Sequence, residues 1–312
     1  MIETFGALVG KAAAKSPDRA RRLLEAAFYA SNFQAKHFPS RKLTTARAFI
    51  SPVCMDAVLH PLAHPERSAI VNLFLPCEIL HAMRIEPQIA EGLSCYFSGA
   101  GSEQYFIEYA RQKGVPDTLC SYHKILTGIA LSGVLPKPRL IANTTLACDA
   151  NTNTFRRIAA HYGVPHFTVD TPCADDADAV QYVADQLREL ARFTEEAMHE
   201  RFSEDALRAV LACEQRSMQA CRSYYDLLAD RYLPNEMTSE MYTLFATHIL
   251  LGKPEIEQYF EQLCEDAKNA PVFQGGNRIL WVHSLPYWQN SLRTILNFSE
   301  ENLSLIHISE PT

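Results

Sequence analysis

The chain lacks what several common classes of protein require. No window of its 312 residues approaches the ~18 uninterrupted apolar residues of a membrane-spanning helix, so no membrane partner is expected. The N-terminus, MIETFGALVGKAAAKSPDRARR, carries Glu3 and has neither the basic leader nor the long apolar core of a secretory signal, which points to the cytoplasm. There is no excess of basic charge. A net charge of −7 argues against nucleic acid, whose binders present a basic face. SGAGS (98–102) is small and flexible but lacks the Lys-Ser/Thr ending of a phosphate-binding loop, so it supports no nucleotide site. No CxxC pair is present, which leaves no ready-made metal signature.

What is present is ordinary globular composition, 47% apolar and 21% charged, at a length sufficient for two domains with real cores. Cysteine is plentiful: Cys54, Cys77, Cys95, Cys120, Cys148, Cys173, Cys213, Cys221 and Cys264. The odd number, the irregular spacing and the missing export signal argue against a disulfide framework and make metal binding or catalysis the better special reading. The plain reading covers most of them, because a free thiol is a small hydrophobe that buries readily. Cys213, Cys221 and Cys264 fall on apolar positions of long helical runs and are read as packing residues.

Residues 1–48 read as a polar helical arm, with Ser16 as N-cap before Pro17. The chain then alternates short apolar runs with helical spacing. SAIVNLFLP (68–76) leads into CEILHAMRI, PRLIANTTLA into CDANTNTFRRIAAHYG, and NRILWVHSLP into YWQNSLRTILNF, with VPHFTVDTP (164–172) as a further strand. That alternation predicts parallel α/β layers. From 175 to about Pro271 the strand signal vanishes, and Asp175, Asp176 and Asp178 suit the positive end of a long helix. The organisation expected is a helical arm (1–48), an α/β domain (49–174), a helical connector (175–272) and the start of a second α/β domain (273–302). LSLIHISEPT (303–312) resembles translated adapter sequence and is expected to be non-native, with the protein continuing past Asn302.

In open parallel sheets the ligand site lies beyond the carboxyl ends of the strands. At such junctions stand Cys77 and Glu78, Cys148 and Asp149, Asp170 and Thr171, and His283 and Ser284; Cys120 precedes the helical run containing Ile125, Leu126 and Ile129. Cys120 and Cys148 thus stand at two helix N-termini, where the helix dipole favours thiolate, the form that binds iron–sulfur clusters. Both are equally readable as loop thiols, because their separation in sequence matches no metal signature. His123 and Lys124, beside Cys120, are either anion contacts or solvated. His60 and His64 have four-residue spacing, but Pro61 and Pro65 argue against the helical turn a zinc pair needs. Trp281, Tyr287 and Trp288 read as core and rim aromatics.

Three segments in order, LFLPCEILHAMRIEP, LCSYHKILTGIALSGVLPKPRLIANTTLACDANTNTF and VPHFTVDTP, resemble the 2-hydroxyacyl-CoA dehydratase family, which includes the 2-hydroxyglutaryl-CoA dehydratase D-component and benzoyl-CoA reductase subunits. The resemblance spans roughly residues 25–300 and is most specific at the cysteine segments. It implies an α/β fold with two Rossmann-like parallel-sheet domains joined by helices, the second incomplete in this chain. It implies a [4Fe-4S] cluster held by three cysteines, two of which match Cys120 and Cys148; the third is expected beyond residue 302. It implies a hydro-lyase working as one subunit of a heteromeric enzyme, removing water from a 2-hydroxyacyl-CoA through a ketyl radical to give an enoyl-CoA. The implied partners are the acyl-CoA substrate, a homologous second subunit and an ATP-dependent iron–sulfur activator protein.

Glu78 matches the family's Pro-x-Glu segment at the mouth of the active site. It is either a catalytic carboxylate that moves the β-proton or a first-turn glutamate opposing the helix dipole. Cys77 beside it is either an extra ligand or packing, and Ser121 is a candidate substrate contact. Two further functions stay open on the residues: a benzoyl-CoA-reductase-like subunit that reduces an acyl-CoA or other small unsaturated substrate, and a non-catalytic electron-relay or scaffold subunit.

Overall fold

The computed structural model describes residues 2–146, 148–233, 237–275, 278–280 and 304–306. Two compact units emerge, one formed by 1–30 with 56–207 and the other by 31–55 with 208–312.

The first unit is built on a four-stranded parallel sheet. Its strands are β1 (Ser68–Val71), β2 (Glu86–Ile89), β3 (Leu140–Thr144) and β4 (His166–Val169), in the order β2-β1-β3-β4. β1 and β3 are central and buried along their whole length, which is why SAIV and LIANT carry almost no alternation. β4 lies at an edge, and its first three residues are only half-buried. β2, at the other edge, gave no strand signal. Its sequence EPQI contains Pro87, which lacks the N–H of a central ladder but is tolerated on an edge strand.

Both central strands stop earlier than the apolar runs suggest. β1 ends at Val71, because Asn72 begins a turn closed by the Leu75 N–H to the Asn72 carbonyl, and Pro76 has no N–H to continue a ladder. β3 ends at Thr144, in register with Val169, the last residue of β4. Cys148 therefore belongs to a loop and not to the strand end itself.

The helices follow the expected breaks. In the first unit lie α1 (Ile2–Ala13), α4 (Glu78–Ala82), α5 (Ala90–Gly99), α6 (Glu103–Gln112), α7 (Ser121–Leu131), α8 (Ala150–Tyr162) and α9 (Ala177–Met198). Asp176 caps α9 by accepting from the Ala179 N–H at 2.9 Å, as the acidic run foretold. α8 ends at Gly163, whose φ of 59° is the left-handed geometry that glycine adopts without cost. α2 (Pro17–His37) starts at Pro17, with the Ser16 hydroxyl 3.4 Å from the Arg19 N–H. α3 (Thr45–Ala63) runs through Pro52 and Pro61, so His60 is helical after all. The His64 N–H reaches the His60 carbonyl at 2.9 Å, and the prolines did not break this turn.

The second unit is mostly helical among its described residues, with most of α10 (Glu204–Leu227), α11 (Met237–Ala246) and α12 (Pro254–Asn269). Arg216 on α10 holds Glu257 on α12 in a two-pronged pair at 2.5 and 2.9 Å, and the Thr243 and Tyr259 hydroxyls meet at 2.7 Å. Cys213, Cys221 and Cys264 are buried here, as their helical positions suggested. A short parallel pair joins β5 (Arg278–Leu280) to β6 (Ser304–Ile306). Most of 273–302, including Trp281, His283, Ser284, Tyr287 and Trp288, lies outside the described residues.

Candidate active site

The strand order sets the site. The chain leaves β1 toward β2 on one side and later returns to lay β3 on the other, so the strand order reverses between β1 and β3 while every strand stays parallel. In such sheets the crevice beyond the carboxyl ends at this reversal is where ligands bind.

The strand exits along this edge are tied to one another by side chains. Asn72, fully buried, leaves β1 and clasps the end of β3: its Oδ1 accepts from the Thr144 N–H at 2.9 Å, and its Nδ2 donates to Thr144 Oγ1 at 3.1 Å. Thr145 bridges β3 to the β4 exit, its hydroxyl donating to Asp170 at 3.1 Å and accepting from the Thr171 N–H at 2.9 Å. Glu91, two residues beyond β2, accepts from the Leu73 N–H at 3.0 Å. Four strand ends are thereby held by buried or half-buried polar groups, an arrangement suited to carrying loops in fixed positions.

Two thiols sit on these loops. Cys120 is the N-cap of α7, exposed, and its side chain makes no capping bond. α7 leads into β3, so its N-terminus lies at the carboxyl edge of the sheet. Cys148 is half-buried in the loop before α8, where its carbonyl accepts from the Asn151 N–H at 3.0 Å. Its Sγ lies 3.7 Å from Nε2 of His123, in the first turn of α7. The two cysteine loops are thus neighbours. His123 is 7% exposed, and burial lowers its pKa, so it stands as a neutral imidazole able to donate to the sulfur from Nε2.

α7 is held close to α6 by an absent side chain. A Cβ on Gly128 would lie only 2.0 Å from the Phe106 carbonyl oxygen, so glycine alone permits this approach. At the other end of α7, the Ser94 hydroxyl on α5 donates to the Tyr122 carbonyl at 3.1 Å. Between α5, α7 and α8 is a small pocket lined by Glu91, Ser94, Tyr122, His123, Leu126 and Phe155.

Glu91 is the residue that sequence reasoning missed. Part of its surface stays accessible, yet burial pushes its carboxyl up to about 7, against the opposing pull of its own N–H and that of Leu73. Asn72 was missed too. The available signal was its place: a lone asparagine closing an apolar strand next to the reversal point.

The other expected residues take varied places. Glu78 opens α4 just after the β1 exit and is 9% exposed. Cys77 before it is buried at 1%. Lys124 donates to the Asp117 carbonyl at 3.0 Å. Cys173 is exposed in the loop after β4. Burial raises the thiol pKa of Cys95 and of Cys221 to about 12 each and that of Cys54 further still, which keeps these three protonated and inert.

The donor set fits part of an iron–sulfur site. Cys120 and Cys148 are accessible thiols beside helix N-termini on adjacent loops, whereas Cys54, Cys95 and Cys221 are held as thiols by burial. Among the described residues no group of three or more Cys, His, Asp or Glu side chains converges as a metal site, so further ligands would have to come from elsewhere. No helix among the described residues is long and apolar enough to cross a membrane.

No curated protein matches the sequence. The family model for the 2-hydroxyglutaryl-CoA dehydratase D-component matches residues 72–306, from the Asn72 clasp through both cysteine loops and the helices that follow. The α/β fold with its parallel sheet and the reach of that match, over more than half of the chain, agree: this chain belongs to the 2-hydroxyglutaryl-CoA dehydratase D-component family.

Proposed function

We propose that the chain is the subunit of an iron–sulfur 2-hydroxyacyl-CoA dehydratase that removes water from a 2-hydroxyacyl-CoA to give the enoyl-CoA. It would work with a homologous second subunit and an ATP-dependent iron–sulfur activator protein. The observation that carries this reading is the pairing of the Cys120 and Cys148 loops at the reversal point of the sheet, with His123 3.7 Å from the Cys148 sulfur. Family membership supplies the substrate class.

The reaction is demanding because a thioester carbonyl acidifies the α-hydrogens, whereas dehydration here must remove a β-hydrogen. A [4Fe-4S] cluster held by Cys120, Cys148 and a third thiol would supply single electrons and an open iron acting as Lewis acid. The chain's own residues do the rest. Asn72 and Thr145 fix the strand exits, so the cysteine loops keep their spacing. Leu126 and Phe155 line the small pocket against which His123 packs beside Cys148. Glu78 takes the β-proton as the new double bond forms.

Glu78→Gln tests this assignment in the anaerobically purified heteromer. Turnover should fall about 10²–10⁴-fold, the usual contribution of a positioned proton acceptor, while iron content is unchanged. Full turnover by the variant would remove Glu78 from the mechanism and favour an electron-relay subunit.

A further inference from the structure

A cysteine ligand needs more than a loop in the right place. Its sulfur must be aimed, and hydrogen bonds to the sulfurs are among the levers that set a cluster's reduction potential. Cys120 and Cys148 differ in both respects.

Cys120 is exposed, and its side chain makes no capping bond. Cys148 is half-buried, and its loop is held by Asn151, itself 2% exposed. The Asn151 N–H donates to the Cys148 carbonyl at 3.0 Å, and Asn151 Nδ2 donates to the Leu146 carbonyl at 3.3 Å. Those bonds fix the backbone and leave the torsion of the sulfur free. What meets the sulfur is Nε2 of His123, at 3.7 Å.

His123 is itself held in place. It lies in the first turn of α7, which the Lys124 N–H closes on the Cys120 carbonyl at 3.1 Å. The Ser94 hydroxyl donates to the carbonyl of the adjacent Tyr122 at 3.1 Å. The imidazole is 7% exposed and packs beside Leu126 and Phe155. One anchored turn therefore carries both Cys120 and the group that touches Cys148. Burial keeps the ring neutral, so it has a single N–H to give.

Resting on the dehydratase reading, we propose that His123 is a positioning residue for the iron–sulfur cluster, donating an N–H···S hydrogen bond to the ligand Cys148 that orients its sulfur and raises the cluster's reduction potential. A ligating cysteine has lost its proton and can only accept. The imidazole proton therefore sits on Nε2, and Nδ1 is left as an acceptor. The bond stabilises negative charge on the sulfur, and that charge is larger once the cluster has taken an electron from the iron–sulfur activator. It thus favours the reduced state, while the proton stays on nitrogen. Burial of His123 keeps water from competing for the donor. Cys120, exposed at the other end of the same turn, has no such donor among the bonds its side chain makes to the helix end.

The test uses the anaerobically purified heteromer in which this chain alone carries isotopically labelled histidine. Pulsed electron paramagnetic resonance of the reduced cluster should show a weak coupling to a histidine nitrogen, and His123→Leu should abolish it. In that variant the ratio of reduced to oxidised cluster at the wild-type midpoint potential should fall about tenfold, or about 59 mV for one electron. Iron retention against a chelator should weaken by about 10–100-fold, the usual cost of losing a group that orients a ligand. His123→Gln, whose amide offers an N–H near the place of Nε2, should recover part of the potential and of the retention. A cluster-bearing wild type without nitrogen coupling would overturn the role of His123 alone, as would a His123→Leu variant of unchanged potential. A coupling strong enough for a direct iron–nitrogen bond would overturn it too, by making His123 a ligand. Should His123→Leu fail to fold, the wild-type coupling and the His123→Gln potential still decide. Iron-free wild-type protein would overturn the cluster reading and this role with it.

Discussion

Replacing Glu91 by glutamine should make the protein more stable at pH 8, although a buried hydrogen-bonded group is being changed. In the unfolded chain the carboxyl titrates near 4.5, and in the fold near 7. The folded state therefore binds this proton more tightly. Its stabilising contribution is fully present below pH 4.5, is lost as the pH rises toward 7, and above 7 remains as a fixed penalty for burying charge. A rise from 4.5 to about 7, at about 1.36 kcal/mol per pKa unit, sets an upper bound of about 3 kcal/mol. Glutamine carries no charge to bury and keeps an acceptor for the Leu73 N–H. The stability difference between variant and wild type should thus be near zero at pH 4.5 and grow to about 2–3 kcal/mol at pH 8. Urea unfolding of both proteins at half-unit pH intervals measures it, since all other titrating groups cancel in the difference. A difference that stays flat with pH, or a variant weaker than wild type at pH 8, would refute the burial argument.

Two further substitutions test how the edge of the sheet is built. Asn72→Ala leaves the buried Thr144 N–H and hydroxyl without their partner, which should cost about 1–3 kcal/mol and lower the midpoint of thermal unfolding. Asn72→Asp, which keeps the acceptor, should recover part of that loss at acidic pH. Gly128→Ala forces a methyl against the Phe106 carbonyl, and the overpacking should cost about 1–3 kcal/mol and lower iron retention by displacing the α7 end that bears Cys120. The same midpoint and iron content as wild type would show that α6 and α7 separate freely.

The central strands, the start of α9 and the helix-start position of Cys120 were legible because they depend on local chemistry: apolar runs, acidic residues at a helix start and the switch to helical spacing. β2 was not legible, because Pro87 hides a strand unless it is known to lie at a sheet edge, and edge status is a property of the whole topology. The helix through Pro61 was misjudged for a related reason: the cost of a proline can be met by tertiary packing that its neighbours in sequence do not reveal. Cys120 and Cys148 were singled out from sequence, but their loops become neighbours only through His123, a contact across 25 residues. Glu91 was invisible because its special property is created by burial and by the Leu73 N–H, a contact across 18 residues that no local pattern announces.

The central claim is that the Cys120 and Cys148 loops hold an iron–sulfur cluster that serves dehydration. The most direct measurement is iron and sulfide content, with the electron paramagnetic resonance spectrum, of the intact protein purified anaerobically with its sister subunit, for wild type and for Cys148→Ser. The account predicts about four irons per cluster-bearing chain in the wild type and their loss, with the signal, in the variant. Iron-free wild-type protein, or a variant with the same iron content and spectrum as wild type, would contradict it.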